Sequence, residues 1–102
     1  MDIIHINALI INRRSRHVTI NGTRVKLTGK EFELLLTLSM KPGSVFHRRE
    51  LLEAVWGMDV TVEPRTVDAH IAHLRKILSK HQPEAPKIET IWGMGYRLRH
   101  VS

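Results

Sequence analysis

The stretch that most constrains this chain is residues 64–80, PRTVDAHIAHLRKILSK. At 100° per residue Val67, Ile71, Leu74 and Leu78 fall in one narrow sector with Ile77 on its flank, the period of a helix with one core-facing stripe. Arg65, Ala69, Ala72, His73, Lys76 and Lys80 point the other way. Cationic and imidazole side chains on that side are separated by alanines small enough to let a partner approach closely. Arg65, Arg75, Lys76 and Lys80 against Asp68 leave three net positive charges on the segment. Faces of this kind are often merely solvated, so the rest of the chain has to decide whether this one lies against a polyanion.

A chain of 102 residues suits one domain with one hydrophobic core. With 42% hydrophobic and 25% charged residues it belongs among folded proteins and not among disordered tails. The formal charge of +6 favours an anionic partner, nucleic acid or a membrane surface, without choosing between them. The absence of cysteine excludes disulfides and thiolate metal sites and is compatible with a reducing cytoplasm. No apolar run approaches the roughly 18 residues that cross a bilayer. The apolar start also lacks a basic n-region and a cleavage site. A soluble cytoplasmic chain that is not exported is expected.

Residues 1–27 break into short β-branched pieces at 3–6, 8–12, 17–20 and 24–27. Asn21-Gly22 is a type I′ hairpin signal, because both central positions of that turn need positive φ. Val18, Ile20, Val25 and Leu27 alternate with polar and basic residues, which predicts a small antiparallel sheet backed by a helix. Thr28 and Glu31 form a T-x-x-E capping box. It starts a helix with leucines round so much of its circumference that it must be central, ended by Lys41-Pro42-Gly43. A second short helix follows His47, a poor N-cap, with Leu51, Leu52, Val55 and Trp56 at helical spacing, and Gly57 stops it. Residues 58–63 read as a loop with Met58, Val60 and Val62 exposed, and Pro64 suits the first helical position. Residues 82–86, QPEAP, read as a connector that joins elements without packing. Strands at 87–91 and 96–98 are joined by Trp92-Gly93-Met94-Gly95, whose glycines give a hairpin tip its backbone freedom.

Sheet, three helices and a terminal hairpin is the order of a winged helix-turn-helix, an α+β fold. The motifs LTGKEFELL at 27–35, PGSVFHRRELLEAVWG at 42–57, RTVDAHIAHLRK at 65–76 and ETIWGMGYRL at 89–98 resemble the C-terminal effector domain of OmpR/PhoB-family bacterial response regulators. The resemblance covers residues 8–98. It implies an N-terminal antiparallel sheet (1–27), a helical core (28–80) with its recognition helix at 65–80, and a C-terminal β-hairpin wing (87–99), together one winged-helix domain over 1–102. It also implies a two-component system, with a receiver domain in cis that a phosphorelay addresses. A chain of this length has no space for that receiver, so an excised effector domain, or else a free-standing relative, is expected.

By the same resemblance Arg65 grips a phosphate, Thr66 and Trp56 position the backbone nearby, and His70 faces the backbone. Asp68, Ala69, Ala72, His73 and Arg75 occupy base-reading positions, with Lys76 beside them. Ala69 and Ala72 are suited to thymine methyls, and Arg75 offers a fork to guanine. Two departures stand out. Family members often carry arginine at positions 72 and 73, and at position 92, where this chain has Trp92. Thr90, Trp92 and Arg97 are the candidate contacts of the wing. The loop of Met58, Asp59, Val60, Thr61, Val62 and Glu63 matches the segment through which the family touches RNA polymerase. Free monomers that bind as a tandem dimer on direct repeats in promoter DNA are implied as well.

Simpler roles stand beside these. Trp56 and Tyr96 suit packing with one polar edge, and Arg75 suits pairing with a carboxylate. His70 and His73 lack the further ligands of a metal site. No catalytic constellation and no cofactor motif is visible, so no enzyme, metal or cofactor is expected. A histidine lying against phosphate would make affinity rise as pH falls towards about 6. The rival from another class is a protein-interaction or RNA-binding module on the same fold.

Overall fold

The computed structural model describes residues 2–58 and 61–99. Four strands come first, β1 (Ile3–Ile6), β2 (Leu9–Asn12), β3 (His17–Ile20) and β4 (Thr23–Val25), paired antiparallel in that order. Their turns follow from the residues in them. Asn21 and Gly22 have φ of 50° and 83°, the two positive values a type I′ turn needs, and they set Ile20 opposite Thr23. Asn12 Oδ1 accepts from the N–H groups of Arg14 and Ser15 and so closes the preceding turn. Leu9, Ile11, Val18, Ile20 and Val25 are buried on one face of this sheet. Leu27, expected inside the fourth strand, lies beyond its end and packs half-buried against the core.

Helix α1 (Gly29–Met40) begins at the expected capping box. Thr28 Oγ1 accepts from Glu31 N–H at 3.2 Å, and Glu31 Oε1 accepts from Thr28 N–H at 2.9 Å. Helix α2 (Arg48–Trp56) starts without a Ser, Thr, Asp or Asn, and Glu50 makes good the deficit: its Oε1 accepts from His47 N–H at 2.8 Å. Helix α3 (Arg65–Ser79) buries Val67, Ile71, Leu74 and Leu78, and Ile77 packs half-buried at the side. The stripe read from the periodicity is the stripe that the core contains.

The wing is β5 (Lys87–Ile91) and β6 (Gly95–Arg99), antiparallel. Its attachment to the helices was not visible in the sequence. Phe46 and Tyr96 exchange both backbone hydrogen bonds, at 2.8 and 3.0 Å, and Gly43 N–H donates to Leu98 O at 2.9 Å. The α1–α2 linker therefore runs along β6. Gly95 is required at the crossing, because its φ is 152° and a Cβ there would sit 1.9 Å from Phe46 O.

Two expectations fail in packing. The 82–86 segment is no passive connector: Ala85 and Pro86 are buried, Ala85 belongs to the core, and Gln82 Nε2 donates to Ala85 O. An apolar Ala-Pro pair beside a strand root is cheaper to bury than to solvate. Val62, expected exposed, is half-buried against the same core. Its neighbours Asp59 and Val60 lie outside the described residues. These helices, sheet and hairpin form a winged helix-turn-helix.

Candidate nucleic-acid interface

Pro64 opens the key helix with φ −55° and ψ −29°, already helical, and lacks only an N–H that no intrahelical carbonyl needs. Thr66 N–H bonds to Glu63 O at 2.9 Å and Val67 N–H to Pro64 O at 3.0 Å, a tight first turn. With the apolar stripe turned inward, Arg65, Ala69, Ala72, His73 and Lys76 stand exposed together on the opposite face. Arg65 meets Glu63 at 2.7 Å, but the two side chains are 80% and 62% exposed, so the pair contributes little and leaves the guanidinium free to change partner. Among the described residues no ion pair engages Lys76.

The helix's N-terminal edge is a second cluster. His70 Nδ1 lies 2.9 Å from Thr66 O, and its ring meets Trp56 edge-on with centroids 5.0 Å apart. Lys30 Nζ lies 5.4 Å from the Trp56 ring centroid while donating to Val55 O at 3.0 Å. Trp56 is thus partly buried, packed against His70 and Lys30.

A third group sits on the seam between α3 and the wing. Asp68 receives Arg48 Nε at 3.1 Å and Nη2 at 2.6 Å, and Tyr96 Oη donates to Asp68 Oδ1 at 2.6 Å. Burial, then the bond to Asp68 and its negative charge, push the Tyr96 phenol up to about 12, against the opposing pull of Arg75 and Arg48. Arg75 Nε donates to Ile88 O at 3.0 Å and Nη2 to Thr90 Oγ1 at 2.6 Å, with its guanidinium 5.3 Å from the Tyr96 ring centroid. The fork expected to face guanine is engaged with β5. Its partner is a backbone carbonyl and a hydroxyl, not a carboxylate. Arg97 is engaged too, with Glu89 at 2.7 Å.

At the wing tip Trp92 is 91% exposed, and Gly93 takes φ 74°. In the 58–63 loop Met58, Thr61 and Glu63 are exposed. Among the described residues no group of three or more His, Asp or Glu side chains is placed to hold a metal ion, and no helix is long and apolar enough to cross a membrane.

Residues 22–98 match the family model described as "Transcriptional regulatory protein, C terminal". The chain belongs to that family. It is a DNA-binding effector domain of the OmpR/PhoB class. Across 97 residues it is 44% identical to the uncharacterized transcriptional regulatory protein YclJ of Bacillus subtilis, covering 94% of this chain and 42% of the relative. To the transcriptional regulatory protein ResD of the same organism it is 42% identical, covering 94% and 40%. The chain thus spans about two-fifths of the length of these curated relatives. The crystal structure of the Klebsiella pneumoniae RstA DNA-binding domain in complex with RstA box superposes with a TM-score of 0.83 at 29% identity, covering 97% of this chain and 98% of that one.

Within this effector domain, three functional neighbours escaped the sequence. Phe46 carries the wing, Arg48 pairs with Asp68, and Glu31 reaches His73. Glu31 is buried, its side chain 3% exposed, and its Oε2 meets His73 Nδ1 on the exposed face of α3. Burial raises the Glu31 pKa, but the Thr28 N–H bond and the bond to and charge of His73 outweigh it, so the carboxyl sits below its usual range. The capping box marked Glu31 as a helix-start residue and gave no sign of its second oxygen's destination.

Proposed function

We propose that this effector domain binds promoter DNA sequence-specifically, with α3 in the major groove and the wing on the adjacent groove or backbone. The observation that carries this reading is the bare face of α3. Arg65, Ala69, Ala72, His73 and Lys76 are exposed side by side on a helix whose other side is locked into the core. Two alanines between cations let the helix backbone come close to base edges, which a merely solvated face would not require.

Within that reading Arg65 grips a phosphate, while Thr66, His70 and Trp56 position the adjoining backbone. Ala69, Ala72, His73 and Lys76 face the bases. Asp68 and Arg75 act from the seam, holding the wing at a fixed angle to α3, and Thr90, Trp92 and Arg97 carry the wing's own contacts. The RstA structure, a relative in complex with its DNA box, supports this docking. A receiver domain in cis, contact of the 58–63 loop with RNA polymerase, a tandem dimer on direct repeats and a cytoplasmic setting complete the proposal.

The test is selection of bound duplexes from a random pool, followed by titration of the selected duplex against a scrambled one at two salt concentrations. A tighter selected duplex is expected, with log K falling by roughly 0.9 per phosphate contact for each unit of log salt. Equal affinity for both duplexes would sink sequence specificity. Binding that prefers a protein partner, with no shifts along α3 on adding duplex, would favour an interaction module instead.

A further inference from the structure

Glu31 and His73 are 42 residues apart and sit on different helices. Glu31 has two oxygens with two tasks. Oε1 accepts the Thr28 N–H at the start of α1, and Oε2 meets His73 Nδ1. The carboxylate cannot swing away without uncapping α1, so the imidazole is held by a fixed acceptor. A carboxylate held ionised accepts but cannot donate, and the net lowering of the Glu31 carboxyl keeps it so. Nδ1 must then carry the hydrogen. The remaining ring nitrogen, Nε2, is the polar atom left for a partner, on a side chain 60% exposed on the bare face of α3.

We infer that Glu31 is a positioning residue for DNA recognition: it fixes the tautomer and orientation of His73 and thereby decides what Nε2 reads, although Glu31 touches no nucleic acid itself. This rests on the reading of α3 as the groove-facing helix. With the imidazole neutral, Nε2 is a bare acceptor, which suits the exocyclic amine of adenine or cytosine in the major groove. In the other neutral tautomer Nε2–H is a donor, which suits guanine O6 or N7. The base preferred at one position therefore follows from which ring nitrogen Glu31 leaves with the hydrogen. Titratable and charged groups on the elements packed against α3 include Glu31 and Lys30 of α1, Arg48 of α2, Lys87 and Glu89 of β5 and Tyr96 of β6, with His70 and Lys76 a turn away on α3 itself. Arg48 and Tyr96 are taken by Asp68, Lys30 by Val55 O and the Trp56 face, and His70 by Thr66 O, which leaves Glu31 as the group bonded to His73.

The deciding variant is Glu31→Gln. A glutamine still caps α1 through its carbonyl oxygen, which turns its amide N–H₂ towards Nδ1. Nδ1 becomes an acceptor and the neutral tautomer flips to Nε2–H. Long-range ¹H–¹⁵N spectra of the free protein at about pH 8 should show an Nδ1–H tautomer for His73 in the wild type and an Nε2–H tautomer in the variant. Selection from a random pool at about pH 8 should then exchange the preferred base at one position, from an amine-bearing base to guanine, by about fivefold or more. His73→Ala should lose the preference at that position and make Glu31→Gln without further effect there. Identical tautomers in wild type and Glu31→Gln, beside normal wild-type sequence preference, overturn this inference alone. A wild type with no sequence preference overturns the DNA reading and this inference with it. A Glu31→Gln effect that persists in the His73→Ala background assigns Glu31 to the helix cap only and overturns the positioning role.

Discussion

Tyr96 Oη donates to Asp68 Oδ1 at 2.6 Å, one of the bonds that join the wing to the helix proposed to enter the groove. Tyr96 is the only tyrosine in the chain, so tyrosinate absorbance reports this contact directly. The folded phenol is held up at about 12, above the ordinary value of about 10. The sign follows: the contribution is whole below about pH 10 and is lost as pH climbs through about 12. The absorbance midpoint of the folded protein should lie well above that of the unfolded chain. Tyr96→Phe should cost about 1.5–3 kcal/mol at neutral pH, the range for a bond to a charged group, and should remove this alkaline component of the unfolding curve.

Gly95→Ala should be among the most damaging single changes available. Its Cβ would fall 1.9 Å from Phe46 O and 2.8 Å from Phe46 C, backbone atoms that cannot step aside. A loss of about 3 kcal/mol or more is expected in thermal unfolding. Gly93→Ala, with φ 74° and open space around it, should cost only about 1–2 kcal/mol from backbone strain. Equal losses at the two positions would contradict the close approach.

Arg75→Lys keeps the charge and loses the two-pronged grip on Ile88 O and Thr90 Oγ1. Amide exchange in β5 should accelerate, and stability should fall by about 1 kcal/mol. In a double-mutant cycle with Thr90→Val the two changes should be non-additive. Full additivity would mean that the contact contributes nothing in solution.

Arg65→Ala should leave the melting temperature almost unchanged, because its partner Glu63 is exposed. Affinity should fall alike for selected and scrambled duplexes, with the salt slope shallower by roughly 0.9. A loss confined to the selected duplex would move Arg65 from the phosphates to the bases.

Ser39 Oγ is buried, with no hydrogen-bond partner among the described residues. Ser39→Ala should therefore be neutral or stabilise the domain by up to about 1 kcal/mol in denaturant unfolding.

What the sequence made legible was local. The Asn21-Gly22 turn, the Thr28–Glu31 box and the Val67–Leu78 stripe are written within one turn or one helix period, and each is where the residues put it. The exposed face of α3 follows from the same period. What could not be read depends on side chains that meet across long separations. Arg48 and Asp68 are 20 residues apart, Tyr96 and Asp68 are 28, and no periodicity links them. Arg75 shows the consequence. Its position on α3 suited a base contact, and only the arrival of β5 alongside supplies the carbonyl and hydroxyl that occupy its fork. Ala85 and Pro86 misled for a related reason: proline and glutamate nearby advertise a loop, while burial depends on the wing root beside them.

The backbone exchange between Phe46 and Tyr96 has a mechanical outcome. With the linker stitched to β6, and β5 and β6 each fastened to α3 by a side chain, wing and helix are tied into one template. A duplex docking on such a template has to do the yielding itself, and its bending stiffness, which varies from one base step to the next, becomes part of the selection. Operators would then be sorted by pliancy at positions that no side chain reaches.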